Sequence, residues 1–420
     1  MTNRRPWDAL RIALAAAILT SVWRVQDLFP ALAPLKLPSL LLLVLLSLMA
    51  ISPRERFRAR IISRQRVMRG LFVILALAAV SIPMSLWAGM SLDFLLKNML
   101  PAIVLAVTAA AAVYTVSDAR RVAAIQVFGA ALYAIVILTQ FEVGPDGRLG
   151  SLVYYDANDL GMLLVCTLPL ALFFVGFSRH IGSRLLAAAI IGLYLATIVK
   201  TGSRGALLGL IAVALYLLAR YTSLHWSHRV ATVAGVVLIF VAATGAQYWS
   251  TVSTILSPRT DYNWIGNTEG GRMAIWGRGL SYMADRPVTG LGLAAFPLAE
   301  GTISPLARRQ QFSDGVKWSA PHNSFLQIGA ELGVLALVIF IATLVGALLL
   351  SGRLARDALA RGGQNIAVAA LARAQGAALV GYAVAGFFLS QAYAPFLFVL
   401  LGMIVGLDLA ARLSWRPLPA

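Results

Sequence analysis

Apolar runs long enough to cross a hydrocarbon core of roughly 30 Å alternate with short polar segments along almost the whole chain. Twelve such runs are centred near Ala16, Leu45, Leu77, Leu105, Ile135, Val165, Ala189, Val213, Val237, Leu335, Val384 and Met403. The pattern predicts an all-α polytopic membrane protein of about twelve transmembrane helices, because a backbone in lipid must satisfy its own polar groups. Nine spans fall within 1–247 and three within 322–420; between them lies one long polar segment, 248–321. Within that segment Arg272 to Asp285 reads RMAIWGRGLSYMAD. Met273, Trp276, Leu280 and Met283 recur there at helical spacing, which predicts an amphipathic helix at the membrane surface, ended by Pro287, Gly290 and Gly292. No period of 20 to 50 residues and no inverted correspondence between the halves is present, so a repeat-built transporter is not indicated.

Composition narrows the class further. The chain is 60% apolar and 12% charged with a mean hydropathy of +0.81, which excludes a water-soluble domain. A net charge of +18 would point to nucleic acid in a soluble protein, but here it follows the spans. With the N-terminus inside, 22 of the 35 Lys and Arg fall on the cytoplasmic side, leaving +17 inside and +1 outside. Both termini are therefore expected in the cytoplasm and the 248–321 loop in the periplasm. The first run follows Arg4, Arg5 and Arg11 without a small-residue cleavage site and is expected to stay as an anchor. Cys166 is the one cysteine, which excludes an intramolecular disulfide and a thiolate metal cluster.

Candidate chemistry gathers on the outer side. Leu185 to Val199 and Gly205 to Ala219 read as two shortened spans joined by Lys200-Thr201-Gly202-Ser203-Arg204, so the turn is expected to be recessed. Gly202 suits the bend and Ser203 an N-cap, and the helix that follows aims its positive end at the same place as the two cations. That combination suits a polyanion such as a lipid diphosphate; the alternative is that both side chains snorkel to lipid phosphates. Arg148, in the turn Gly144-Pro145-Asp146-Gly147-Arg148, either converges on this region or is a solvated turn residue. His180, His225 and His228 sit in cytoplasmic basic loops, whereas His322, in Ala320-Pro321-His322-Asn323-Ser324, is the outer one. It is either a general base at the membrane surface or the cap of the tenth span.

These residues resemble a family. Arg204 with Leu208 four positions on, and His322 with Gly333 eleven positions on, reproduce the two motifs of the O-antigen ligase family. Arg272, Trp276, Asp285-Arg286-Pro287, Gly290-Leu291-Gly292 and Phe296 resemble that family's outer loop. Tyr155-Asp156-Ala157-Asn158-Asp159-Leu160 is similar to a D-P-N-D-L pattern, with Ala157 in place of the proline. The likeness runs from about Arg148 to Gly333, with hydropathy alone agreeing outside it.

The resemblance implies a metal-independent, inverting glycosyltransferase of the bacterial inner membrane, without a cofactor. Its implied donor is a glycan on undecaprenyl diphosphate, and its acceptor a sugar hydroxyl of lipid A core or, in the related polymerases, of another lipid-linked glycan. Arg204, Lys200, Arg148 and Arg272 are then expected to hold the donor diphosphate, with snorkelling as the alternative for Arg272. His322 is the expected base, with Asp156, Asp159 and Glu331 as substitutes if it only orients the acceptor. Asp156, Asn158, Asp159, Asn323 and Trp276 are candidates for acceptor binding or structure. Trp249, Trp264, Trp276 and Trp318 either stack on sugars or anchor the loop at headgroup level. A competing flippase or transporter should carry ionisable residues in mid-span, and here the mid-span regions are aliphatic.

Overall fold

The computed structural model describes residues 8–141, 149, 155–220, 225–245, 248–249, 253, 270–309 and 318–415 of the 420-residue chain. Among these, nine helices are long and apolar enough to cross a membrane: Ala31–Ile51, Arg66–Met84, Ala88–Ala112, Val116–Gln140, Ala157–Phe177, Ile181–Thr201, Val334–Arg361, Asn365–Phe388 and Pro395–Ser414. Three shorter helices, Ala9–Ser21, Arg204–Arg220 and Trp226–Ala243, take the remaining places in the predicted order. Every predicted centre lies in a helix, and the described residues contain no strand. The protein is an all-α polytopic membrane protein.

Local chemistry sets the helix starts. Proline occupies the first turn of Leu37–Ile51, Pro53–Ser63 and Pro395–Ser414, where its missing N–H would have had no partner. Thr115 with Asp118, and Asp156 with Asp159, form reciprocal capping boxes. Ala157–Phe177, Asn365–Phe388 and Pro395–Ser414 are the most buried spans and make the centre, while Ala31–Ile51 is peripheral. Between Pro395–Ser414 and Leu100–Ala112 the contact is made by small residues: a Cβ on Gly402 would lie 2.3 Å from the Ala106 carbonyl oxygen, and Gly406 faces Ala110. Close backbone approach of this kind is what holds helices together where lipid removes the hydrophobic drive. The first helix is pinned by Arg11, which pairs with Asp118 at 3.0 Å and donates to the Ala112 carbonyl at 3.1 Å, so the buried charge is matched and hydrogen-bonded.

Three features differ from the sequence expectation. The seventh span is a 21-residue helix, Ile181–Thr201, about 31 Å long. Ser183, Arg184, Lys200 and Thr201, read as flanking turns, continue the helix at both ends. Arg204–Arg220 is the short partner, with 17 residues.

The tenth span is broken. Ser324–Leu332 ends at Gly333, which has φ +87°, and Val334–Arg361 begins immediately after it. The carbonyls left by the break are taken by the loop that follows Asp285: the Leu291 N–H donates to Ala330 at 2.9 Å and the Gly292 N–H to Glu331 at 2.9 Å. In return the Val334 N–H donates to the Pro287 carbonyl at 2.8 Å.

The amphipathic helix has the predicted bounds, Arg272–Asp285, but turns a different stripe inward. Ile275, Gly279 and Tyr282 are buried against the protein, while Met273 and Leu280 stay exposed. Of the predicted stripe, Trp276 and Met283 still touch the protein at its edge, Trp276 on Phe387 and Phe388 and Met283 on Gly329, so only Met273 and Leu280 are left outward.

Gly290 shows how tight the clamp is. Its φ is +63°, and a Cβ there would meet the Glu331 carbonyl carbon at 2.4 Å. Gly290→Ala is expected to add conformational strain of about 1–3 kcal/mol before the clash is counted. A thermal melt of the purified variant in detergent should show a clearly lowered midpoint; an unchanged midpoint would mean that the loop does not clamp the helix break.

Candidate functional site

The Lys200–Arg204 turn has the predicted construction. Gly202 caps Ile181–Thr201 in the left-handed region at φ +58°, and the Ser203 hydroxyl accepts from the Ala206 N–H at 3.2 Å as N-cap of the next helix. Lys200 is exposed and Arg204 half-buried. The Leu149 N–H donates to the Lys200 carbonyl at 3.0 Å, so the chain next to Arg148 runs beside the turn; Arg148 itself lies outside the described residues. A Cβ on Gly161 would touch Ala206 at 2.8 Å and Ser203 at 3.3 Å, which sets the turn against the first turns of Ala157–Phe177.

His322 is not the cap of the helix it precedes. That cap is Asn323, whose Oδ1 accepts from the N–H groups of Phe325 at 2.9 Å and Leu326 at 3.0 Å. Asn323 is buried and structural in this role. His322 stands at φ +46°, a left-handed conformation rare outside glycine, and its N–H donates to Ser390 Oγ at 2.8 Å. Such a backbone costs about 1–3 kcal/mol and persists only where neighbours over-determine it. Here the Asn323 cap fixes one side and Ser390 the other. Trp276 adds a third tie, since its Nε1 donates to the Pro321 carbonyl at 2.9 Å while its ring packs against Phe387 and Phe388. Trp276 is therefore a strut behind His322. Arg272 lies one turn before Trp276 on the same helical face.

A turn that the sequence reading passed over joins these parts. Residues 386–394 link the last two spans, and a Cβ on Gly205 would lie 3.4 Å from Phe388, so the Arg204 turn abuts it. Ser390 binds the His322 backbone, Gln391 bonds the Asp159 side chain, and the Ser324 hydroxyl donates to the Leu389 carbonyl at 2.7 Å. The Lys200–Arg204 turn, the Trp276 helix, His322 and the start of Ala157–Phe177 thus meet around one loop at one end of the bundle.

The carboxylates named as substitute bases are committed elsewhere. Asp156 Oδ1 accepts from the Asp159 N–H at 2.7 Å, and Asp159 returns the contact at 3.4 Å while also bonding Gln391. Asp156 is exposed; Asn158 and Asp159 are half-buried in the first turn. Glu331 is buried and accepts from the N–H groups of Ala294 at 3.0 Å and Phe296 at 3.3 Å and from the Tyr393 hydroxyl at 2.8 Å. It braces the loop against the helix break. Burial and the neighbouring Glu331 hold the Tyr393 phenol well above its ordinary range. In the segment before the tenth span Arg278 grips buried Glu300 through Nε and Nη2, and Tyr282 donates to the same carboxylate at 2.9 Å. Burial and Glu300 likewise raise the Tyr282 phenol, so it serves as a fixed donor.

Beside this cluster a cavity of about 530 Å³ opens, walled in part by Asp159, Ser390 and Gln391. Its other polar walls, Arg24, Lys97, Asn98 and Gln327, had no motif to announce them.

Likeness to known proteins adds an independent observation. Residues 189–341 match the O-antigen ligase family. No curated protein matches the chain. The matched segment contains Lys200, Arg204, Arg272, Trp276, His322, Asn323 and Glu331, and its bounds leave out the Asp156–Asp159 cap and the 386–394 loop that complete the cluster. The matched segment spans about a third of the chain.

Proposed function

We propose that the protein is a metal-independent, inverting O-antigen ligase-like glycosyltransferase of the bacterial inner membrane. In this reading it transfers a glycan from undecaprenyl diphosphate to a sugar hydroxyl of lipid A core at the periplasmic face. The observation that carries the proposal is the meeting of the Lys200–Arg204 turn and His322 around the 386–391 loop. The acceptor hydroxyl gives its proton to the His322 imidazole as its oxygen bonds the anomeric carbon, and the bond from that carbon to the diphosphate oxygen breaks. Negative charge grows on the departing lipid diphosphate. Arg204, Lys200 and the N-terminus of Arg204–Arg220 stabilise it there, with Arg148 and Arg272 assigned to the same anion. Asp156 and Asn158 border the acceptor side.

The proposal places 1–247 and 322–420 in the membrane, the 248–321 loop in the periplasm and both termini in the cytoplasm, as the charge division supports. Ser281 is exposed on the outer-loop helix, and Cys166 is fully buried. Ser281→Cys should react with a membrane-impermeant thiol reagent on intact spheroplasts. Labelling only after lysis would invert the topology and remove every role above.

Surface glycans of a deletion strain test the choice of acceptor. Loss of capped lipid A with accumulation of lipid-linked polymer is expected for the ligase, whereas accumulation of single lipid-linked repeat units would instead make the protein a polymerase.

A further inference from the structure

The 530 Å³ cavity lies within the size range of small-molecule sites. It is bounded by Ala17 and Ser21 of the first helix, Ser39 and Leu42 of the second, the residues near Lys97, and the 389–394 turn. Its polar wall is made of Asn98, Asp159, Gln327, Ser390 and Gln391, and Tyr155, Tyr393 and Phe94 contribute aromatic rings. The hydroxyls of both tyrosines are already engaged, Tyr155 with the Val22 carbonyl at 2.6 Å and Tyr393 with Glu331 at 2.8 Å, so the rings are held in place.

Charge decides what such a space suits. Arg24 pairs with Asp27 at 2.5 Å and Lys97 with Asp93 at 2.5 Å, and Asp159 adds a carboxylate to the wall. Both cations at the cavity thus sit beside acids, whereas the Lys200–Arg204 turn adds the N-terminus of Arg204–Arg220 to its two cations. A diphosphate wants surplus donors and positive charge. A hydroxyl-rich ring wants amides, a carboxylate and flat apolar faces.

Ser390 supplies the link to the reaction. It lines the cavity and accepts the His322 N–H at 2.8 Å, which puts the wall one hydrogen bond from the chain at His322. We infer that this cavity is the acceptor-saccharide subsite. An uncharged sugar ring binds the side chains of Asn98, Asp159 and Gln391, packs on the Phe94 ring, and brings its attacking hydroxyl to His322. The donor diphosphate stays across the 386–391 loop. The delivery of the hydroxyl rests on the proposed function; the binding of a saccharide does not.

The test uses the full-length protein with His322→Ala to stop turnover, and adds Ser39→Trp or Asn98→Trp at exposed positions of the cavity mouth. The probes are core oligosaccharide released from lipopolysaccharide by mild acid, an undecaprenyl-diphosphate-linked repeat unit, and undecaprenyl diphosphate alone, with binding measured by titration calorimetry in detergent. Each tryptophan variant should melt like its parent and bind one of the two saccharide probes at least about tenfold more weakly, a loss of roughly 1.4 kcal/mol, with undecaprenyl diphosphate unaffected. Whichever saccharide is affected identifies the acceptor. Unchanged saccharide binding in both variants, no saccharide binding by the parent, or selective loss of undecaprenyl diphosphate would each overturn the inference. Saccharide binding at this cavity in a wild-type protein that never transfers a glycan would sink the proposed function and leave the subsite standing.

Discussion

His322→Ala is expected to fold and to bind the lipid-diphosphate donor while glycan transfer falls by about 10²- to 10⁴-fold. The fold should survive because the helix start belongs to Asn323 and the tie to the outer loop runs through the Pro321 carbonyl. What is lost is the imidazole itself, held half-buried on a strained backbone beside the 389–394 turn. A protonated imidazole accepts no proton, so wild-type transfer should fall as the pH is lowered. His322→Gln separates basicity from hydrogen bonding, since the amide keeps a donor and an acceptor and loses only the base. Single-turnover transfer near the wild-type rate in His322→Gln would remove the base assignment, and loss of donor binding in both variants would move His322 to the diphosphate.

Arg204→Ala should reduce transfer by about 30- to 1,000-fold, the equivalent of roughly 2 to 4 kcal/mol from one charge-assisted contact in a water-poor site. The effect should appear in donor affinity as well as in rate, because the guanidinium meets both the resting and the departing diphosphate. Arg204→Lys should recover part of the loss, since an ammonium restores the charge without the planar fork that grips two oxygens. Ser203 and Gly202 set the backbone of the turn, so the variant should still melt cooperatively. Transfer by Arg204→Ala at the wild-type rate under limiting donor would exclude the role.

Much of the architecture was open to inspection in the sequence, for physical reasons that also mark where inspection stops. Runs that must satisfy their own backbone in lipid leave an unambiguous pattern, and all twelve predicted centres fall in helices. Gly202 and Ser203 were recognisable because a left-handed cap and a hydroxyl N-cap demand those residue types. The length of Ile181–Thr201 was not, because lysine and arginine can end a membrane helix as readily as leave it. The inward face of Arg272–Asp285 was hidden because Gly279, small and apolar, lies at its centre and carries no periodic signal. The break at Gly333 was invisible because a lone glycine in an apolar run is compatible with a continuous helix. Ser390 and Gln391 were passed over because a polar pair in an outer turn has no period, and their partners His322 and Asp159 lie 68 and more than 200 positions away in the chain.

Joining chemistry itself is the central claim, and reconstitution with defined substrates tests it most directly. Purified protein in detergent, given an undecaprenyl-diphosphate-linked glycan and lipid A core, should release undecaprenyl diphosphate in step with the appearance of glycosylated core, and with inverted configuration at the new bond. Intact donor after prolonged incubation, together with movement of that donor across the bilayer when the protein is placed in vesicles, would contradict the account and make the protein a carrier of lipid-linked sugars.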